Sequence, residues 1–174
     1  ARAALLVVAA AIAARSVAGS SAYFDSAAPF DKFRGAAGWL RQHARPGDVV
    51  FHAHWDNFAA LFYWYPEGTY INGMDPIFQY AESPTGYWKT HHLATGQGTA
   101  TTCGAPRCTA AETEPTLDVL RREFHARYIF VQSLRNPRLD AYLRAVGDPV
   151  HLELDTGVET VFRLDPLATG RGPG

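Results

Sequence analysis

Hydrophobic positions change period several times along this chain, and each change marks an element. Residues 3 to 14 are unbroken alanine, leucine, valine and isoleucine between Arg2 and Arg15, after which Ser, Ala and Gly dominate to Pro29, the composition of a linker. Phe33, Ala36, Ala37, Leu40 and Ala44 then recur at helical spacing, with Asp31 placed to cap the start and Arg45-Pro46-Gly47-Asp48 to stop the helix. Asp48 to Ala53 holds a Val-Val-Phe run, the pattern of a strand covered on both faces. Asn57 to Tyr65 is helix-like with aromatics on more than one side, and Pro66-Glu67-Gly68 turns the chain into a second strand, Thr69 to Asn72. Asp75-Pro76 opens a helix to about Tyr80 or Ala81, since proline suits a first turn; Ser83-Pro84-Thr85-Gly86 interrupts it and Tyr87 to Leu93 resumes it.

From Ala94 to Pro115 there is no period, which predicts a long surface loop. Leu117, Leu120 and Phe124 restore a helical stripe within Thr116 to His125, and Ala126 to Gln132 reads as the third strand. A helix from Asn136 or Pro137 to Val146 turns Leu139, Tyr142, Leu143 and Val146 inward and stops at Gly147. Pro149 to Asp155 and Val158 to Leu164 alternate around Thr156-Gly157, a closing hairpin. Alternating strands and helices predict an α/β fold, three-layer and Rossmann-like, with a mostly parallel sheet and a C-terminal antiparallel hairpin. The expected division is 1–20 for the end of a transmembrane helix, 21–30 for a linker, 31–165 for a soluble α/β domain and 166–174 for a disordered tail.

Composition narrows this picture. The chain has 174 residues, 47% of them hydrophobic, enough for one domain with a proper core. A formal net charge of −1 and the lack of a local basic patch exclude nucleic acid as a partner. The opening apolar run is shorter than the roughly 20 residues that cross a bilayer. It is therefore read as the outer half of a membrane helix, with two alternatives: a signal peptide cleaved near Ser20-Ser21-Ala22, or a buried alanine-rich helix. Either of the first two readings places the remainder outside the cytoplasm. Cys103 and Cys108, the only cysteines, have the spacing of a small disulfide ring in an oxidising compartment; two free thiols is the alternative, and zinc would need two further ligands that the loop does not offer.

The densest chemistry lies between Asp48 and Pro76. His52-Ala53-His54-Trp55-Asp56 has the His-x-His that opens metallo-β-lactamase-like zinc sites, but the later ligands of such a site are missing. His52 and His54 alternate onto one face of a strand and Trp55 onto the other, so they can simply cover the sheet end. His91 and His92 read as surface residues. Asp56 and Asp75 each follow a strand and can cap the next helix or accept hydrogen bonds from a sugar or peptide. Trp55, Tyr63, Tyr65, Tyr70 and Tyr87 either stack on such a ligand or fill the core. No glycine-rich phosphate loop follows the first strand and no Gly-x-Ser-x-Gly is present, which disfavours nucleotide binding and a serine hydrolase.

The apolar segment, Ala36-Ala37-Gly38-Trp39-Leu40-Arg41, Pro46-Gly47-Asp48-Val49-Val50 and Trp55-Asp56 together resemble the membrane-to-soluble junction of GT-C type glycosyltransferases. In oligosaccharyltransferase catalytic subunits a similar helix and strand lead to a Trp-Trp-Asp-Tyr-Gly motif that helps hold the acceptor peptide; His54-Trp55-Asp56-Asn57-Phe58 matches it at Trp55 and Asp56 only. A closer likeness is to the C-terminal domains of bacterial multi-spanning proteins related to dolichyl-phosphate-mannose mannosyltransferases, through Trp55-Asp56, the Leu-Phe-Tyr helix and Gly73-Met74-Asp75-Pro76. The resemblance covers roughly residues 1 to 90. It implies a lipid-linked sugar donor, inversion at the sugar carbon and a catalytic carboxylate in an early membrane loop that this sequence does not contain.

The expectation is therefore a periplasmic or extracellular domain of a cell-membrane glycosyltransferase. It would shape the acceptor side without catalysing alone and without cofactor or metal. Its partners are its own transmembrane domain, a polyprenyl-phosphate sugar and an acceptor glycan or protein. His54, Trp55, Asp56, Tyr70 and Asp75 form the expected binding surface, with the Cys103–Cys108 loop as a pinned flap. The other readings are a secreted or anchored glycan- or peptide-binding module and a metal-dependent hydrolase using His52, His54 and Asp56.

Overall fold

A computed structural model describes residues 7–17 and 31–166. Residues 7–17 form a helix, α1, exposed along its length, and no helix among the described residues is long and apolar enough to cross a membrane. The expected linker, the Ser20-Ser21-Ala22 cleavage site, the tail beyond Pro166 and the outer parts of the expected membrane helix lie outside the described residues.

The remaining elements are α2 (Arg34–His43), β1 (Val49–His52), α3 (Asn57–Trp64), β2 (Thr69–Tyr70), α4 (Pro76–Glu82), α5 (Pro84–Thr95), β3 (Thr101–Thr102), β4 (Glu114–Pro115), α6 (Thr116–Arg122), β5 (Ala126–Gln132), α7 (Pro137–Val146), β6 (Val150–Asp155) and β7 (Glu159–Leu164). Five strands make one sheet in the order β2-β1-β5-β7-β6, and β3 pairs with β4 in a separate antiparallel pair. β2, β1 and β5 are parallel, β7 is antiparallel to β5, and β6 is antiparallel to β7, so four of the five strands run one way. The fold is mixed α/β with a mostly parallel sheet, as the alternation of elements predicts.

Period-two alternation sends successive strand residues into two cores. Val50, Tyr128, Phe130 and Val161 join Phe33, Ala36, Ala37 and Leu40 of the α2 region and Leu61 of α3. Phe51, Ile129, Val131, Phe162 and Leu164 join Leu93 of α5, Leu120 of α6 and Leu139 and Leu143 of α7. A buried polar link fastens α7 to the sheet: Asp140 accepts from Thr160 Oγ1 at 2.8 Å and from Arg144 Nε at 2.8 Å, while Arg144 also reaches Asp155.

Several local expectations are corrected. The residue before α2 is Phe33, in the left-handed region at φ 63°, with no side chain capping the helix in place of the expected Asp31; this conformation sets the Phe33 ring edge-on to Phe130 at 4.7 Å. β2 ends at Tyr70, two residues early. α5 begins at Pro84, because Ser83 accepts from Gly86 N and proline fills the first position, so the expected interruption is a helix start. The expected surface loop from 94 to 115 carries β3 and β4, the fully buried Cys103 and a Cys103–Cys108 disulfide.

Candidate functional site

The chain leaves β1 by α3, whose Leu61 lies in one core, to reach β2; it returns to β5 by α5 and α6, whose Leu93 and Leu120 lie in the other. β1 and β5 are parallel neighbours, and the chain leaves β1 by α3 on one face toward β2 but leaves β5 by α7 on the other face toward β6, so these two connections part between the carboxyl ends of β1 and β5, where open α/β sheets form a crevice. The segments that meet there are 53–56 after β1 and 133–136 after β5.

Asp56 does not cap α3. The helix has no side-chain cap, and both Asp56 oxygens accept from Arg135 Nη1, at 2.9 and 2.8 Å. This overturns the capping role for Asp56: a guanidinium outcompetes a backbone amide for the carboxylate. Asp75 does cap, accepting from Ile77 N at 3.0 Å at the start of α4. Beside the ion pair, His54 is half-buried and its Nε2 is enclosed without a hydrogen-bond partner. Burial, then the positive charge of Arg135, holds the His54 imidazole below its ordinary pKa, against smaller opposing effects of Asp56 and Asn136. A cavity of about 210 Å3 opens there, lined by His54, Trp55, Pro76, Gln79, Tyr87 and His91 among others. Trp55 is 47% exposed at its rim, and Tyr87 stacks on His91 at 5.7 Å.

The structure thus brings His54, Trp55 and Asp56 together, with Asp75 fixing the helix whose Pro76 closes the cavity. Tyr70 is not part of this surface. It shares the face of Val50, donates its hydroxyl to Tyr65 O at 2.9 Å, and sits edge-on to Phe58, so its role is to pack. Burial, reinforced by Tyr65 and Glu67, keeps that phenol protonated far above the usual range.

His52 and His54 do not alternate on one strand face, because β1 ends at His52. His52 is fully buried, with Nδ1 3.0 Å from His54 O and Nε2 3.1 Å from Asn72 O, so neither nitrogen is available to a metal. Among the described residues, the group of three histidine, cysteine or acidic donors that converges is His92, Cys103 and Cys108, and both sulfurs are in the disulfide. His92 is itself buried, contrary to its reading as a surface residue; its Nε2 contacts Ala105 O at 2.8 Å and its Nδ1 contacts Gln97 Oε1 at 3.2 Å, which holds the disulfide ring against α5.

Sequence reasoning missed Arg135 and Gln79. Arg135 sits 79 positions from Asp56 in a polar turn, and no periodic signal marks it. Gln79 lines the cavity beside His54 and also a second one of about 730 Å3 on the far side of α4.

An apolar surface adjoins both cavities. Phe62 stacks on Phe58 at 5.2 Å, and Phe58 covers Gly73 so closely that a Cβ there would come within 2.7 Å of its ring. Beyond Gly73 the surface continues through Met74, Ile77, Phe78 and Tyr80, all 46 to 66% exposed. α4 buries no residue at all. No lysine or arginine occurs between Pro46 and Trp88. Comparison of this chain with protein-family models, with curated proteins and with solved structures finds no match.

Proposed function

We propose that residues 31–166 are the extracytoplasmic, non-catalytic domain of a membrane glycosyltransferase that uses a lipid-linked sugar, and that the crevice around His54, Trp55 and Asp56 lies on the acceptor side. The observation that carries this reading is the exposed aromatic and aliphatic surface from Phe62 to Tyr80, which adjoins the cavity of His54 and Trp55. Contiguous apolar surface of this kind marks a contact with a membrane or another protein part. Aromatic side chains at its edge are the residues that sit at the headgroup level. The Cys103–Cys108 disulfide supports an oxidising compartment. Within this reading, the two cores filled by alternate strand residues correspond to a three-layer, Rossmann-like arrangement.

In the proposed role Trp55 offers a ring for stacking, His54 lines the cavity wall beside it, and the Asp56–Arg135 pair fixes the loop that carries both. None of these groups is assigned to bond cleavage. The reading frame upstream of residue 1 tests the proposal: several further apolar spans and an early loop carboxylate are expected, whereas a bare signal peptide replaces the enzyme with a secreted or anchored binding module.

A further inference from the structure

The second cavity, of about 730 Å3, lies against the end of β2 and is lined by apolar Ile71, Met74, Phe78 and Phe124 and by Asn72, Gln79, Glu82 and Glu123. A chain of hydrogen bonds fixes which end of each amide faces where. Thr90 Oγ1 donates to Gly86 O at 3.0 Å, so it accepts from Gln79 Nε2 at 3.3 Å; Gln79 therefore turns its Oε1 to Asn72 Nδ2, at 3.4 Å. Asn72 is left with Oδ1, buried and without a partner, as the group that distinguishes the wall. Asn72 Oδ1 and the carboxylates of Glu82 and Glu123 are acceptors only.

Charge narrows the ligand further. No lysine or arginine lines the cavity, so an anion would meet two carboxylates and no cation. Of the two carboxylates, Glu123 is already paired with the buried Lys89, which leaves Glu82 as the one acidic acceptor beside Asn72 Oδ1. What fits is an uncharged molecule rich in hydroxyl donors on one side and apolar on the other.

We propose that this cavity binds an uncharged saccharide ring, stacked on Phe78 and Phe124 and donating hydroxyls to Asn72 Oδ1 and Glu82. The proposal rests on the carbohydrate reading above and adds a second subsite to it, separated from the His54 cavity by Gln79. Asn72 Oδ1 is covered from solvent, so a hydroxyl reaches it only as a wall side chain moves aside.

The test is ligand-observed saturation-transfer NMR on the full chain with methyl α-glucopyranoside and methyl α-mannopyranoside, and with methyl glucuronide and butylammonium as charged probes. The neutral glycosides are expected to bind, with affinity weakened at least tenfold in Phe78→Ala and Asn72→Leu and unchanged in Val158→Ala. Phe78 is 55% exposed, so Phe78→Ala decides the matter if Asn72→Leu fails to fold. Glycoside binding that survives Phe78→Ala but is lost in Trp55→Ala overturns this subsite and leaves the carbohydrate reading standing. Binding of a charged probe alone, or of no probe, overturns the saccharide assignment, and the upstream reading frame still decides the glycosyltransferase reading separately.

Discussion

Arg135 Nη1 holds both carboxylate oxygens of Asp56, at 2.9 and 2.8 Å, and so ties the turn after β1 to the turn after β5. The two side chains are 44% and 39% exposed, so the pair contributes only about 0.5 kcal/mol to stability. Its larger effect is on geometry, because His54 and Trp55 sit in the tethered turn.

Replacing either partner should therefore move His54 in opposite senses. Arg135→Ala removes a positive charge that depresses the His54 pKa and raises it; Asp56→Asn removes a charge that supports the imidazolium and lowers it. Imidazole chemical shifts followed by NMR against pH read both changes, while the denaturation midpoint moves little. Equal shifts in one direction would mean that the pair does not set the field at His54.

Acid sensitivity follows from the buried histidines. His52, His54 and His91 are all held below the ordinary imidazole pKa, in each case chiefly by burial. At His52 the two flanking carbonyls favour the cation, and burial outweighs them. A folded-state pKa below the unfolded value of about 6.5 means that the unfolded chain binds more protons. This contribution is full above that value, falls as pH drops through it and is gone below the folded pKa. Thermal stability should thus fall between pH 7 and pH 5, and His52→Gln should flatten that slope. Because it replaces a fully buried imidazole that donates one hydrogen bond to a backbone carbonyl, His52→Gln is expected to cost about 1–3 kcal/mol at pH 7.

How far the sequence was legible depends on the range of the interaction. β5 was readable to the residue and α7 to within one, since Ala126 to Gln132 is a β-branched and aromatic run and Pro137 and Gly147 bracket one helical stripe. The hairpin of β6 and β7 was readable from alternation around Thr156-Gly157. His54 and Trp55 were readable as a pair because they follow a buried strand. The ion pair of Asp56 was not, since its partner Arg135 is brought near only by the parallel pairing of β1 and β5. Tyr70 was misplaced for a related reason: one residue of register decides whether a strand side chain faces the crevice or a core. The burial of His92 and Cys103 depends on a disulfide ring folding back on α5, and nothing periodic announces it.

Lys89 should show an asymmetry. Its ammonium is buried, at 4% side-chain exposure, whereas Glu114 and Glu123 are 48% and 39% exposed. Burial alone would lower the Lys89 pKa, but the two carboxylates outweigh it and raise it. Lys89→Met leaves carboxylates that water can solvate and should cost below about 1 kcal/mol. Glu114→Gln with Glu123→Gln strands a buried charge and should cost about 3 kcal/mol or more. Urea midpoints of the two variants, compared at pH 7, distinguish this order from its reverse.

The apolar surface predicts membrane contact without an electrostatic component. Neutral phosphatidylcholine vesicles should retain the protein in flotation, with little dependence on salt, because no lysine or arginine occurs between Pro46 and Trp88. Ile77→Glu should weaken retention without lowering the melting temperature, since Ile77 is 66% exposed. Binding that needs anionic lipid, or that Ile77→Glu leaves undiminished, would move the contact elsewhere on the domain.

The disulfide is expected to matter through the unfolded chain and through His92. Cys103 and Cys108 close a ring with a sequence separation of 5, for which loop entropy gives about 2 kcal/mol. Inside that ring Ala105 offers its carbonyl to His92, and Gly104 lies so close to Thr85 that a Cβ there would come within 2.2 Å of the threonine methyl. Reduction therefore loosens a segment that packs on α5, the helix that also carries Tyr87 and His91 of the candidate site. Dithiothreitol, or Cys103→Ala with Cys108→Ala, should lower the urea midpoint and speed hydrogen exchange in α5 and in residues 97–108, leaving β5 and β7 protected. If exchange rises equally in β5, the ring supports the whole sheet, and the local role assigned to it here is wrong.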